Sequence, residues 1–223
     1  MDLQTVTHLR CPLCAQETEN INFPIRGRDR WYHRCLSCGF MYLSPAHHLS
    51  NVAEKERYLQ HQNSDNDGYL DYLKTFIAQA VHPYLKPDAE ILDFGSGPVP
   101  ALSRLLNIHG YHCYSYDPYF FPDEPWQNRS YDAVVLHEVA EHLAEPAKVF
   151  SVASTCIQNG GFFMIRTRFL EGCADFGSWW YRMDPTHISF YTEIGLRQFM
   201  ASRGFSPILF QAPDIAVIRK NTH

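Results

Sequence analysis

The sequence predicts an α/β protein: a doubly wound, mostly parallel sheet with a small cysteine-rich module ahead of it. Three observations carry this expectation. From residue 90 onward, short apolar runs rich in aromatic and β-branched residues alternate with stretches of helical periodicity. The first of these runs, ILDF, opens directly into a glycine turn, GSG, as a strand does when its carboxyl end feeds a helix. Four of the seven cysteines fall in two C-x-x-C pairs near the start of the chain.

Residues 1–45 combine Cys, Arg and aromatics with the turn-like steps CP, SCG and SP. Cys11-Pro-Leu-Cys14 and Cys35-Leu-Ser-Cys38 are separated by the stretch 15–34, a spacing at the top of the range for a zinc ion held by four cysteines. Four thiolates satisfy a tetrahedral divalent ion, and a module this small has too little core to fold unaided. Gly39 lets the second knuckle turn tightly. The alternatives are a coincidental pair of motifs or a redox dithiol. Cys113, Cys156 and Cys173 fall in core-like segments and are expected to pack.

Residues 46–88 read as a helical connector. HHLSNVAEKERYLQHQN (47–63) has helix-forming composition, and NSDNDG breaks it. GYLDYLKTFIAQAVHPYL then spaces Leu70, Leu73, Phe76, Ile77, Ala80 and Val81 along one helical stripe, ended by Pro83 and Pro87.

Residues 89–223 carry the alternation. EILDF is a strand, PALSRLLNIHG a helix stopped by Gly110, and YHCYSYD and YDAVVL are strands. PAKVFSVASTCIQNGG reads as a helix with a glycine stop, FFMIRT as a strand, and TEIGLRQFMASRG as a helix capped by Thr192. FSPILF and IAVIRK, split only by QAPD, must pair antiparallel.

Two places bear chemistry. In DFGSGPVP, Asp93, Gly95 and Gly97 form an acid-and-glycine turn where backbone can pass close to a ligand. Asp117 ends the next strand, at the offset from Gly97 where an acid can accept from ribose hydroxyls. A dinucleotide fingerprint needs a third glycine where Pro100 stands. The second place is HEVAEH, 137–142. It misses the metalloprotease pattern H-E-x-x-H by one position, since Glu141 stands where the second histidine belongs. If a helix starts near His137, then Glu138, Glu141 and His142 share one face. Carboxylates and an imidazole so gathered repel unless a proton or a cation intervenes. A divalent metal resolves this, with His187 in WWYRMDPTHISFYT as a fourth ligand. Plainer roles stay open: Glu141 as a helix cap, His142 as a core histidine, His187 as a general base or pocket wall. Trp179, Trp180, Tyr181 and Tyr191 form either an aromatic acceptor wall or a packed lid, and Asp184 either orients His187 or shapes its turn.

ILDFGSG, YSYDP, YDAVVLHEVAEHL and GGFFMIRT, in that order, make residues 68–223 resemble the class I S-adenosylmethionine-dependent methyltransferases. The resemblance implies a Rossmann-like methyltransferase fold, a seven-stranded sheet with its last strand antiparallel, here behind a small N-terminal zinc ribbon. It implies S-adenosylmethionine held by Asp93, Gly95 and Gly97 around the methionine part and by Asp117 at the ribose, with His137 and Glu138 bordering the methyl-transfer centre. One departure is Val99 in place of the common third glycine of G-x-G-x-G. The E-x-x-E-H cluster with a later loop histidine is similar to the ubiquinone-biosynthesis O-methyltransferases and to the methyltransferases of the 3′-terminal ribose of small RNAs. That likeness implies a second divalent metal on Glu138, Glu141, His142 and His187, with His187, His142 and Glu141 as the catalytic set. It leaves three acceptor readings: a small molecule with O-methylation, RNA guided by the zinc module, or metal-independent C- or N-methylation. A non-catalytic chain that recruits a partner is disfavoured by the intact Asp93, Gly95, Gly97 and Asp117.

With 223 residues and 45% hydrophobic content the chain can bury one sizeable core plus an appendage. A net charge of -5 weighs against tight, sequence-blind nucleic-acid binding, with Arg26, Arg28, Arg30 and Arg34 as a local basic exception. MDLQTVTHLR lacks an apolar core, and no run approaches the ~20 apolar residues of a membrane span. The expectation is a soluble cytoplasmic enzyme with reduced cysteines, some of them on metal.

Overall fold

Three short antiparallel strands, β1 (Thr18–Asn22), β2 (Trp31–Cys35) and β3 (Met41–Leu43), build the N-terminal module. The structure, a computed structural model, describes residues 10–60, 67–123 and 125–222. The module's sheet has a fourth strand from far along the chain, β8 (Ser189–Phe190), paired with β3 through Met41↔Phe190 and Tyr42↔Ser189. Cys11, Cys35, Cys38 and Phe40 are buried in one apolar cluster with Leu92, Val134 and Phe163 of the main domain. The module is thus packed into the core of its neighbour.

The main sheet comprises β4 (Glu90–Phe94), β5 (His112–Tyr116), β6 (Tyr131–His137), β7 (Ile157–Arg166), β9 (Phe205–Gln211) and β10 (Ile215–Lys220), in spatial order β5-β4-β6-β7-β10-β9. Pairings are parallel except those of β10, as expected of the closing strand pair. Among the described residues the sheet has six strands, not the seven that the family resemblance implies. The missing strand would lie between β5 and β6. That segment carries Pro118, Pro122 and Pro125, which remove ladder donors, and it forms turns ending in the short 3-10 stretch Trp126–Asn128.

Strand residues alternate between two cores. Ile91, Ala133, Val135, Ile215 and Val217 face α2 (Asp67–Phe76) and α3 (Ala101–Ile108). Leu92, Val134, Leu136, Ala216 and Ile218 face α4 (Pro146–Thr155), α5 (Glu193–Ala201) and the module. Leu73 and Phe76 of α2 are buried as the stripe predicts, and the helix continues as a π-turn over Ile77–Val81 that buries Ile77, Ala80 and Val81. Thr192 caps α5 by accepting from the Gly195 amide at 3.0 Å. The connector helix α1 (Asn51–Leu59) is shorter than 47–63: Ser50 caps it, and 61–63 lie outside the described residues.

One boundary differs. IQNGG does not end α4 but begins β7. Tyr131 pairs with Ile157 and Ala133 with Phe162, so the glycines form a bulge. Gly161 must lack a side chain there, because a Cβ would lie 2.7 Å from the Asp132 carbonyl oxygen.

Candidate active site

The carboxyl ends of β4, β5 and β6 open into a cleft of about 1240 Å³. Asp93, the last residue but one of β4, is 3% exposed and accepts from the Ser103 hydroxyl at 2.8 Å. Burial pushes its carboxyl up to about 6. Gly95 (φ 83) and Gly97 (φ 67) are both left-handed, the conformation glycine adopts without strain. A Cβ on Gly95 would fall 2.6 Å from Val139 Cγ2, whereas one on Gly97 would meet nothing within 4 Å, so the backbone there stands open to the cleft. Asp117 accepts from the amides of Gly97 (2.9 Å), Tyr119 (2.8 Å) and Phe120 (3.2 Å). The turn and the acid of the next strand therefore meet on one wall, as the sequence spacing requires, and Asp117 Oδ2, with one amide, keeps capacity for another donor.

HEVAEH does not fold as a helix from its first residue. His137 is the last residue of β6, laddered to Arg166, and the Glu138 amide donates to Arg166 O at 2.9 Å. The chain is held extended until Glu138 turns it with φ 55, and only Ala140–His142 forms a 3-10 turn. Glu138 is thus off the face that Glu141 and His142 share. It accepts instead from the Tyr72 hydroxyl at 2.7 Å, and burial, then the neighbouring Glu141, pushes its carboxyl up to about 8. His137 is pushed down to about 3 by burial and then by Arg166; its buried Nε2 has no partner.

Three of the four predicted ligands converge. Glu141, His142 and His187 each offer one ligand atom within 4.8 Å of the others. Glu141 is fully buried; Oε2 accepts from the Thr167 hydroxyl at 2.9 Å, while Oε1 is buried without a partner, 4.0 Å from His142 Nε2. Burial raises the Glu141 carboxyl and lowers the His142 imidazole from their ordinary values. His142 Nδ1 bonds Thr186 O at 2.9 Å and His187 Nδ1 bonds Tyr181 O at 2.6 Å. Carbonyls only accept, so both rings donate through Nδ1, the arrangement that orients metal-binding imidazoles. Ligand atoms around one ion lie ~3–3.5 Å apart, so a contraction of about 1 Å would close this set. The unpaired Glu141 oxygen and the oriented rings fit a divalent ion.

The aromatic segment divides. Trp180, 63% exposed, and Tyr181 line the cleft. Trp179 packs on Phe176 and Phe190, and buried Tyr191 donates to Ala140 O. Asp184 shapes the His187 turn, accepting from the Thr186 amide and hydroxyl on one oxygen and from Arg57 on the other. Sequence reasoning missed the opposite wall: Glu54, Arg57 and Tyr58 of α1 and Tyr69 and Tyr72 of α2. The polar face of an amphipathic helix carries no signal for such a role.

In the module, Cys14 Sγ lies 3.4 Å from Cys35 Sγ and from Cys38 Sγ, and Cys11 Sγ lies 3.8 Å from Cys38 Sγ. A tetrahedral zinc with Zn–S near 2.3 Å needs sulfurs about 3.8 Å apart, so the four fit that ion. Each knuckle closes on a left-handed residue, Ala15 (φ 61) and Gly39 (φ 71). The module is also tied to the segment behind the cleft: the Leu43 amide donates to Ile188 O, and the Ile188 amide to Glu141 O, both at 2.8 Å.

Residues 61–209 match the family model described as a methyltransferase domain. The chain belongs to that family. Solved structures agree on the fold of this methyltransferase. Magnesium protoporphyrin IX methyltransferase from Synechocystis PCC 6803, with bound SAH, is 15% identical with a TM-score of 0.55 over 77% of this chain and 95% of that one. The 1,6-didemethyltoxoflavin-N1-methyltransferase of Burkholderia thailandensis, with S-adenosylhomocysteine, is also 15% identical at TM-score 0.55, over 92% and 100%. An O-methyltransferase family protein from Burkholderia thailandensis is 10% identical at 0.51, over 77% and 60%. No curated protein matches significantly. The matched segment makes this chain a methyltransferase by family, and the solved structures agree with it in fold. Among the described residues no helix is long and apolar enough to cross a membrane.

Proposed function

We propose that this methyltransferase transfers the methyl group of S-adenosylmethionine to an oxygen of a small-molecule acceptor, assisted by a divalent ion on Glu141, His142 and His187. The observation that carries this is the convergence of those side chains beside the cleft that the glycine turn and Asp117 also line. Gly95 and Gly97 let the backbone lie against the methionine part of the cofactor, Asp117 accepts from the ribose, and neutral His137 offers its unpaired Nε2. The acceptor oxygen attacks the methyl carbon in line, the C–S bond breaks, and sulfur keeps the electron pair. Glu138 lines the cleft, and its carboxyl, raised by burial and by the neighbouring Glu141, takes the acceptor's proton once ionised. A bound divalent ion would lower the acceptor's pKa and orient it. Cys11, Cys14, Cys35 and Cys38 would hold a structural zinc, and seven cysteines with no disulfide among them suit a reducing compartment such as the cytoplasm.

The test is calorimetry with S-adenosylhomocysteine and, separately, manganese titration of the zinc-loaded protein. Cofactor binding in the ~10–100 µM range or tighter is expected, lost in Asp117→Ala. No binding by wild type would defeat the assignment. Manganese binding is expected to weaken in His142→Ala and His187→Ala; equal affinity in all three proteins would exclude metal assistance. It would leave the second reading, metal-free transfer, which the raised Glu138 carboxyl also favours.

A further inference from the structure

A second concave surface lies on the zinc-binding module and shares no residue with the reaction cleft. The hairpin between β1 and β2 turns at Arg26 (φ 50) and Gly27 (φ 75), and Ile25 and Arg28 exchange both backbone hydrogen bonds. Two successive left-handed residues make a tight primed turn, which glycine tolerates and arginine does so only at some strain. The turn gathers Arg26, Arg28 and Arg30, with Ile25, Asp29 and His47, around a pocket of about 440 Å³.

The charges in this pocket are unbalanced. Among the described residues no acid pairs with Arg26, Arg28 or Arg30, whereas nearby Arg34 pairs with Glu19. Asp29 takes its hydrogen bond from Asn22 Nδ2 at 2.7 Å. The backbone of Arg30 is fixed at both ends, its amide donating to Asn22 Oδ1 and its carbonyl accepting from Phe23. Its side-chain Nε and Nη2 are nevertheless buried without a hydrogen-bond partner. Each such orphan donor costs about 1–3 kcal/mol unless something accepts from it. Three guanidiniums on one short hairpin run against a chain of net charge -5.

We propose that this pocket binds a phosphate group carried by a small ligand, held by Arg26, Arg28 and Arg30 with His47 at the rim. A phosphate suits the site better than a carboxylate because it offers more acceptor oxygens to several forked donors. The volume leaves room for the group attached to the phosphate. A compact pocket on an acidic protein, rather than a basic stripe, favours a small ligand over a polynucleotide. The site also adjoins the reaction cleft along the chain. His47 ends the turn Pro45–His47, and Asn51 on the cleft wall follows one helical turn later in sequence, at most about 14 Å away.

Calorimetry on the zinc-loaded full chain tests this, with sodium pyrophosphate titrated at fixed ionic strength. Saturable binding is expected, weakened at least about tenfold in Arg30→Gln and in Arg28→Gln, as loss of a charge-assisted hydrogen bond dictates. Arg34→Gln should match wild type. Arg28 is exposed, so its variant reports even if Arg30→Gln folds poorly; zinc content monitors folding in both. No saturable binding, or equal affinity in all four proteins, would overturn the site. A nucleoside diphosphate should bind about as well as pyrophosphate. A short RNA oligonucleotide that binds far more tightly, with a steep salt dependence, would overturn the assignment to a small ligand.

Discussion

Gly195→Ala should destabilise this protein, although Gly→Ala in a helix ordinarily stabilises by about 1 kcal/mol. Gly195 sits in the first turn of α5, against the second C-x-x-C knuckle. A Cβ there would lie 2.6 Å from the Cys38 carbonyl oxygen and 2.7 Å from Thr192 Oγ1. The first is about 0.7 Å inside an ordinary C···O contact. Neither neighbour yields easily. The carbonyl belongs to a knuckle whose shape the four sulfurs set, and the threonine hydroxyl both caps α5 and donates to that same carbonyl at 2.6 Å. Loss of the cap is worth about 1–2 kcal/mol and overpacking about 1–3 kcal/mol. Against the propensity gain, net destabilisation of about 1–4 kcal/mol is expected. The effect should spread: β8, just before α5, is tied to β3 on one side, and Ile188 beside it to Glu141 on the other. Urea unfolding should show a lower midpoint at unchanged slope, and zinc release to a chromophoric chelator should quicken. A variant about 1 kcal/mol more stable than wild type, as helix propensity alone would give, with unaltered zinc release, would refute the claim that module and domain are locked at this point.

Other consequences follow from single groups. Glu138 is raised in the folded state to about 8, so its contribution to stability is complete below the unfolded value near 4.5 and is lost as pH rises toward 8. Wild type should therefore lose stability relative to Glu138→Gln by up to about 1.4 kcal/mol per pH unit across that window, read from denaturant midpoints at several pH values; a difference independent of pH would contradict this. Asp117→Asn should weaken S-adenosylhomocysteine binding at least about tenfold, since an amide cannot accept from all of the Gly97, Tyr119 and Phe120 amides, and calorimetry would detect it. Ala15→Gly should leave zinc binding intact and raise stability by up to about 1 kcal/mol, because Ala15 holds a left-handed φ of 61; thermal unfolding of the zinc-loaded protein checks it.

What could be read from the sequence alone was whatever depends on short spacing. The two C-x-x-C knuckles, the acid-and-glycine turn, Asp117 at the end of the following strand and the Thr192 cap are each set within a few neighbouring residues or one strand–helix unit, and each stands where the spacing puts it. The mostly parallel sheet with its antiparallel closing pair needs little more, because strand–helix alternation and the short QAPD link leave few topologies, although the sheet has six strands among the described residues and not the expected seven. Tertiary structure decided the rest. Whether HEVAEH opens as helix or stays extended depends on the ladder from β6 to Arg166 at the far end of β7, and that ladder leaves Glu138 within reach of both the Tyr72 hydroxyl and the Glu141 carboxyl. The joining of β8 to the cysteine module depends on a contact between residues 41 and 190 that no local pattern encodes. Local propensity acts over a turn or two. A cleft wall assembled from α1, α2 and a distant loop is selected only when the chain has closed on itself.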